Sequence, residues 1–207
     1  MKSDDKSCCI ALAGLTFKGA RNYLHGTDIL VVALNAIEAE YMADAVTDID
    51  ITFHGMAKTG LTLLSSPPLN VEPVARLSCR IAGTRKKFFL IEDGRAILER
   101  YDYVEERIVA VTDIQVTAAS ATSAIAMPFS DIERWVAMVK ALHYALYPEM
   151  NGKWLFVRGK FDSYPGTYGL TEINQQVRVE SNFNNKLTRS ALLVGGAKLG
   201  DIFFSLD

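Results

Sequence analysis

Three histidines, His25, His54 and His143, are the side chains of this chain whose ordinary titration lies nearest neutral pH, so proton transfer is sought there first. His25 is the most suggestive. It lies in the run Leu24-His25-Gly26-Thr27-Asp28-Ile29-Leu30, beside a glycine that lets a ligand approach the backbone and just ahead of a long apolar segment. With Thr27 as the predicted cap of a helix beginning there, the first-turn amides and the helix dipole would hold an oxygen that gains charge, and a neutral His25 would take or give a proton. Tyr23 and Gly26 would border such a site. The alternative is that Tyr23 and His25 dress a surface loop. On the helix itself Asp28, Asn35 and Glu38 fall within about a quarter-turn of one another, a narrow polar stripe on an apolar rod. The stripe either lines a pocket, where a desolvated Glu38 would have a raised pKa, or is the helix's solvated face. His143 flanks a helical stripe of Ile132, Trp135, Val136, Val139, Leu142 and Leu146, and either meets a cavity or is a hydrogen-bonded core histidine. Strict alternation from Phe53 turns His54 outward.

Other chemistries are not supported by the spacing. No histidine or cysteine pair stands at ligand spacing, so no metal site is expected. There is no Gly-x-Ser-x-Gly elbow, Walker loop or dinucleotide fingerprint, and the glycines between 195 and 200 lack the following helix such motifs need, so no cofactor is expected. Arg85-Lys86-Lys87 either meets a ligand phosphate or is a solvated turn. The 22 basic and 24 acidic residues divide evenly, 12 and 13 up to Tyr103 and then 10 and 11, so no basic stripe points to nucleic acid or an anionic membrane. Cys8, Cys9 and Cys79 are odd in number with two adjacent, which suits reduced thiols in a cytoplasm. The first apolar run, about eight residues behind two aspartates, is too short and too poorly flanked for a secretory leader. No stretch approaches the roughly 18–20 apolar residues that span a bilayer.

The elements that must position these groups come in the same order twice. Residues 8–17 read as a strand, 28–46 as a helix apolar on nearly all sides and therefore the most enclosed one, and 48–119 as antiparallel strands broken by Pro67-Pro68, Gly83 and Gly94. After Met127-Pro128-Phe129, Ser130 caps a second helix that stops near Pro148, and strands follow over 153–161, 175–183, 189–196 and 200–206. At an offset of 103–104 Thr27-Asp28-Ile29 falls on Ser130-Asp131-Ile132, Tyr41 on Tyr144, Gly55 on Gly159 and Thr84-Arg85 on Thr188-Arg189. Gly60-Leu61-Thr62 echoes Gly169-Leu170-Thr171 if the second copy carries a longer loop. A tandem duplication follows, with repeats over 1–106 and 107–207.

One antiparallel sheet wrapping one apolar helix, twice, is an α+β plan that resembles the double hot-dog arrangement of the thioesterase and dehydratase superfamily. The resemblance covers nearly the whole chain in element order, with the His-Gly loop at 24–30 as its local motif. It implies an acyl thioester substrate carried on coenzyme A or an acyl carrier protein. In the acyl dehydratases of that superfamily a loop histidine works with a carboxylate from the central helix of the partner unit. By position these are His25 and Asp131 or Glu133, but no proline lies between His25 and the helix, which departs from the dehydratase pattern. Two functions stay open: an acyl-thioester enzyme with His25, Asp28 and Asp131 as its reacting groups, or a noncatalytic module that binds an acyl or aromatic ligand or serves as an accessory subunit; under either, a homodimer is open. A ligand-sensing fold such as that of chorismate lyase would carry no repeat at half length.

Overall fold

The computed structural model describes residues 8–42, 46–103, 105–125, 127–163 and 174–207. The chain divides into two compact units, Met1–Asp102 and Tyr103–Asp207. In the first, β1 (Cys9–Ala11) and β2 (Phe17–Lys18) precede helix α1 (Gly26–Tyr41), and β3 (Val46–Phe53), β4 (Leu61–Leu64), β5 (Ala75–Ile81), β6 (Thr84–Glu92) and β7 (Arg100–Tyr101) follow. The second holds α2 (Glu105–Val109), β8 (Asp113–Gln115), β9 (Ser120–Ser123), α3 (Asp131–Leu146), β10 (Trp154–Ser163), β11 (Gln175–Phe183), β12 (Leu187–Val194) and β13 (Ala197–Leu206). Among the described residues no helix is long and apolar enough to cross a membrane.

Within the first unit an antiparallel sheet runs β1-β4-β6-β5-β3. Alternation sends Leu61, Leu63, Ala75, Leu77, Cys79, Phe88 and Leu90 into the core, as do Ile29, Leu30, Ala33, Leu34 and Ile37 on the buried face of α1. In β3 the register shifts between Thr47 and Asp50, where Asp48 takes a positive φ of 49°, and this bulge turns both Val46 and Ile49 inward. Ala82 and Gly83, both left-handed, close the β5–β6 hairpin in two residues, the geometry whose twist matches its strands.

The second unit's sheet runs β10-β13-β12-β11-β9-β8, also antiparallel. Gly195 and Gly196 make its two-residue β12–β13 turn, and Asn184 and Asn185 supply the left-handed residues between β11 and β12. Counted from the strand before the long helix, the order is first-third-fourth-fifth-second here and first-third-fifth-fourth-second in the first unit. A long helix occurs in both units, and the first, third and second strands keep their places while the fourth and fifth exchange theirs. The cause is the connection. After β4 the chain runs through Pro67, Pro68 and Pro73 before β5, too long and too rigid for a hairpin, and β5 lands beside β3. The echo expected at Gly169-Leu170-Thr171 lies outside the described residues.

Two expectations are corrected. Residues 105–109, read as entering a strand at 107, are helical, with Glu105 and Glu106 in the first turn and Lys140 of α3 ion-paired to Glu105 at 2.9 Å. The more enclosed long helix is α3, with nine buried residues against six in α1. The alanines of α1 offer little surface to bury, so Ala39 and Glu40 remain exposed, whereas Trp135 and Met138 of α3 carry large side chains inward.

Candidate active site

Five polar side chains, Lys18, His25, Thr27, Asp28 and Tyr101, converge at the N-terminal end of α1. The helix begins at Gly26, and its cap is His25 in an extended conformation (φ −78°, ψ 138°) whose side chain makes no capping bond. Thr27, expected as the cap, therefore lies in the first turn and is buried. Its hydroxyl is engaged elsewhere: Oγ1 is 2.7 Å from His25 Nδ1, accepts from Lys18 Nζ at 3.2 Å and lies 3.2 Å from Asp28 Oδ1, to which it donates. Asp28 is held at both oxygens, by Lys18 Nζ at 2.9 Å from Oδ1 and by the Tyr101 hydroxyl donating to Oδ2 at 2.9 Å.

Lys18 reaches this point because β2 and β7 pair in parallel with Lys18 opposite Tyr101. Its ammonium also lies 5.4 Å from the Tyr101 ring centroid. Arg100, next in β7, clasps the loop by donating to the carbonyls of Gly19 and Arg21. Lys18 is 0% exposed, so its charge is out of water, and Asp28 and Thr27 are among the groups that compensate it.

Most of the other expected residues lie away from this cluster. Gly26 opens α1, and Tyr23 is half-buried on the preceding loop with Arg21 5.9 Å from its ring. Glu38 is half-buried near the other end of α1, its carboxyl raised by burial, and Asn35 is exposed, so only Asp28 of the polar stripe joins the cluster. His54 is exposed just past β3. His143 is fully buried in the second unit, its ring 4.4 Å from that of Trp154 and 5.3 Å from that of Phe204, with Nε2 2.9 Å from Thr188 Oγ1. Burial drives its pKa down to about 3.

Asp131 opens α3 in the second unit, where Ser130 Oγ accepts from the Glu133 amide at 3.4 Å. Gln175 Nε2 donates to Asp131 Oδ1 at 2.6 Å, and Ser123 stands opposite Gln175 in the β9–β11 ladder. Arg134, one turn on, is completely buried, donates to the Ile125 carbonyl at 2.8 Å and lies 3.9 Å from Asp131. Burial pushes its pKa below the ordinary range, and Asp131 partly offsets this. Ser123 Oγ, Gln175 Oε1 and Arg134 Nε and Nη1 have no hydrogen-bond partner among the described residues.

Sequence reasoning missed Lys18, Tyr101, Arg134 and Gln175. Lys18 and Tyr101 are far apart in sequence and meet through a two-residue ladder with no periodicity to betray it. Arg134 sits inside an otherwise apolar helical stripe and was the one available signal. Burial raises both Cys8 and Cys79, the latter to about 11, so these thiols are protonated at neutral pH. Among the described residues no group of three or more His, Cys, Asp or Glu is placed to hold a metal.

No known family model matches the chain. No curated protein matches its sequence. Its fold does recur among solved structures. The tesB protein of Mycobacterium avium subspecies paratuberculosis superposes with a TM-score of 0.54 at 9% identity, over 97% of this chain and 93% of that one. The dehydratase domain of PpsC from Mycobacterium tuberculosis, solved in complex with C12:1-CoA, superposes with a TM-score of 0.51 at 12% identity, over 97% and 93% of the two chains. These likenesses define the fold: the chain carries the hot-dog fold in tandem, the α+β plan of one long helix on an antiparallel sheet in each unit. They concern architecture, and chemistry rests on the side chains present.

Proposed function

We propose that this chain binds and processes an acyl thioester, on coenzyme A or an acyl carrier protein, at the N-terminal end of α1, with His25 as the proton-moving group. The observation that carries this reading is the 2.7 Å contact between His25 Nδ1 and Thr27 Oγ1, which orients an imidazole at a helix N-terminus. Asp28 is engaged by Lys18 and Tyr101, so it serves to hold the cluster while His25 moves the proton. In the hydrolytic form, His25 takes a proton from water as the water oxygen bonds to the thioester carbonyl carbon. Charge gathering on the carbonyl oxygen is stabilised by first-turn amides. The C–S bond then breaks, and the departing thiolate receives the proton. The three cysteines, free as thiols, suit a reducing cytoplasm.

A second reading places the chemistry at Asp131. It is favoured by the 2.6 Å bond from Gln175 and by the buried polar atoms of Ser123 and Arg134 around the start of α3, which suit a held water. Titration of the isotope-labelled chain with a non-hydrolysable thioether analogue of an acyl-CoA separates the two. The leading reading expects the amide signals of Gly26, Thr27 and Asp28 to move first and most. Shifts confined to residues around Asp131 and Gln175 would transfer the site to the second unit, and no saturable shifts anywhere would remove the acyl-thioester reading.

A further inference from the structure

We infer that Lys18 is a positioning residue that sets the tautomer of His25 through the hydroxyl of Thr27. Lys18 stands beside the positive end of α1, where a second cation is electrostatically misplaced, and it is wholly out of water. Its ammonium, 2.9 Å from Asp28 Oδ1 and 3.2 Å from Thr27 Oγ1, ties these two oxygens together. One proton inventory satisfies all of these contacts together. An ammonium only donates, and a carboxylate only accepts. Thr27 Oγ1, 3.2 Å from a carboxylate oxygen and already accepting from Lys18, directs its single proton toward Asp28. Toward His25 it presents a lone pair, so the proton in the 2.7 Å contact belongs to Nδ1. A neutral imidazole protonated at Nδ1 carries its basic lone pair on Nε2, on the far side of the ring from Thr27. The chain of donors runs from His25 to Thr27 to Asp28, and Lys18 anchors its end.

Without Lys18 the carboxylate is no longer pinned against Thr27. It can turn toward Tyr101, and the Thr27 hydroxyl can then donate to Nδ1. The proton would move to Nε2, the form that a neutral histidine favours in water, and the base would be lost.

This inference rests on reading His25 as the base, but it is tested on the ligand-free full chain, without turnover. Histidine-selective 15N labelling, with His25 assigned by comparison with His25→Ala, reports directly which ring nitrogen is protonated when the ring is neutral. The expected spectrum has a protonated-type signal at Nδ1 and an unprotonated-type signal at Nε2. Lys18→Met is expected to shift the tautomer ratio toward Nε2–H by about tenfold, the scale of a hydrogen bond to a charged group. Thr27→Val, which removes the relay, is expected to do the same. A wild-type His25 protonated at Nε2 would overturn the inference, as would a natively folded Lys18→Met protein with an unchanged ratio. If Lys18→Met does not fold, the wild-type spectrum and Thr27→Val decide it, an unchanged ratio in the latter counting against it. A protein that shows the expected tautomer yet acts on no thioester would leave the positioning role standing and defeat only the proposed reaction.

Discussion

His25 and His143 share a side chain and differ in everything that decides its use. His25 is half-buried at a helix start, with a hydroxyl, a carboxylate and an ammonium arranged behind it. His143 is sealed among aromatic rings with one hydroxyl partner, and burial alone drives its pKa from 6.5 to about 3. A base whose folded pKa lies below its unfolded value binds fewer protons when folded, so its contribution to stability is present above pH 6.5 and lost as pH falls toward 3. The loss approaches about 1.4 kcal/mol per pH unit between those limits. We therefore expect urea unfolding between pH 7 and pH 4 to show stability falling with acid, and His143→Gln to be less stable at pH 7 but to lose less on acidification. Parallel acid limbs in both proteins would show that His143 does not govern that window. At this scale the sequence singled out His25, through its glycine neighbour and the apolar helix that follows, and raised His143 as either ligand or core. It did not disclose Lys18 or Tyr101, because their meeting is a long-range event between isolated residues.

Alternation and turn residues made most strands legible, since a sheet with one buried face writes its period into the sequence. Competing local signals hid the rest. The apolar residues at 108–111 follow Arg107 and two acidic residues that favour a helical turn, and the bulge at Asp48 breaks the alternation of β3 without changing its composition. Enclosure of α1 was overestimated because alanine counts as apolar yet buries little. Some elements are held by close backbone approach, which only glycine permits. In the β10–β13 ladder a Cβ added at Gly200 would lie 2.1 Å from the Lys160 carbonyl oxygen, a backbone atom that cannot swing away. Gly200→Ala should therefore destabilise the chain by roughly 2–4 kcal/mol, measured by denaturant unfolding. A loss below about 0.5 kcal/mol would mean that the two strands separate more easily than their packing implies.

For the whole molecule, element order carried the reading further than any motif did. A strand, a long helix and then antiparallel strands occur twice in 207 residues, and each set folds as a compact unit with a buried helix. The exchange of inner strands in the first unit was not legible, because the connection after β4 announces a turn by its prolines without saying which neighbour the next strand will choose. For function the sequence offered a class of substrate and one histidine as expectations, since side chains from distant strands complete each cluster. The account therefore stands on His25, and thiol release from a panel of acyl-CoA and acyl carrier protein thioesters tests it most directly. We expect the wild type to turn over at least one of them and His25→Ala to lower kcat/KM on that substrate by roughly two to four orders of magnitude, the usual contribution of a general base. A His25→Ala rate within about twofold of wild type on an accepted thioester would contradict it.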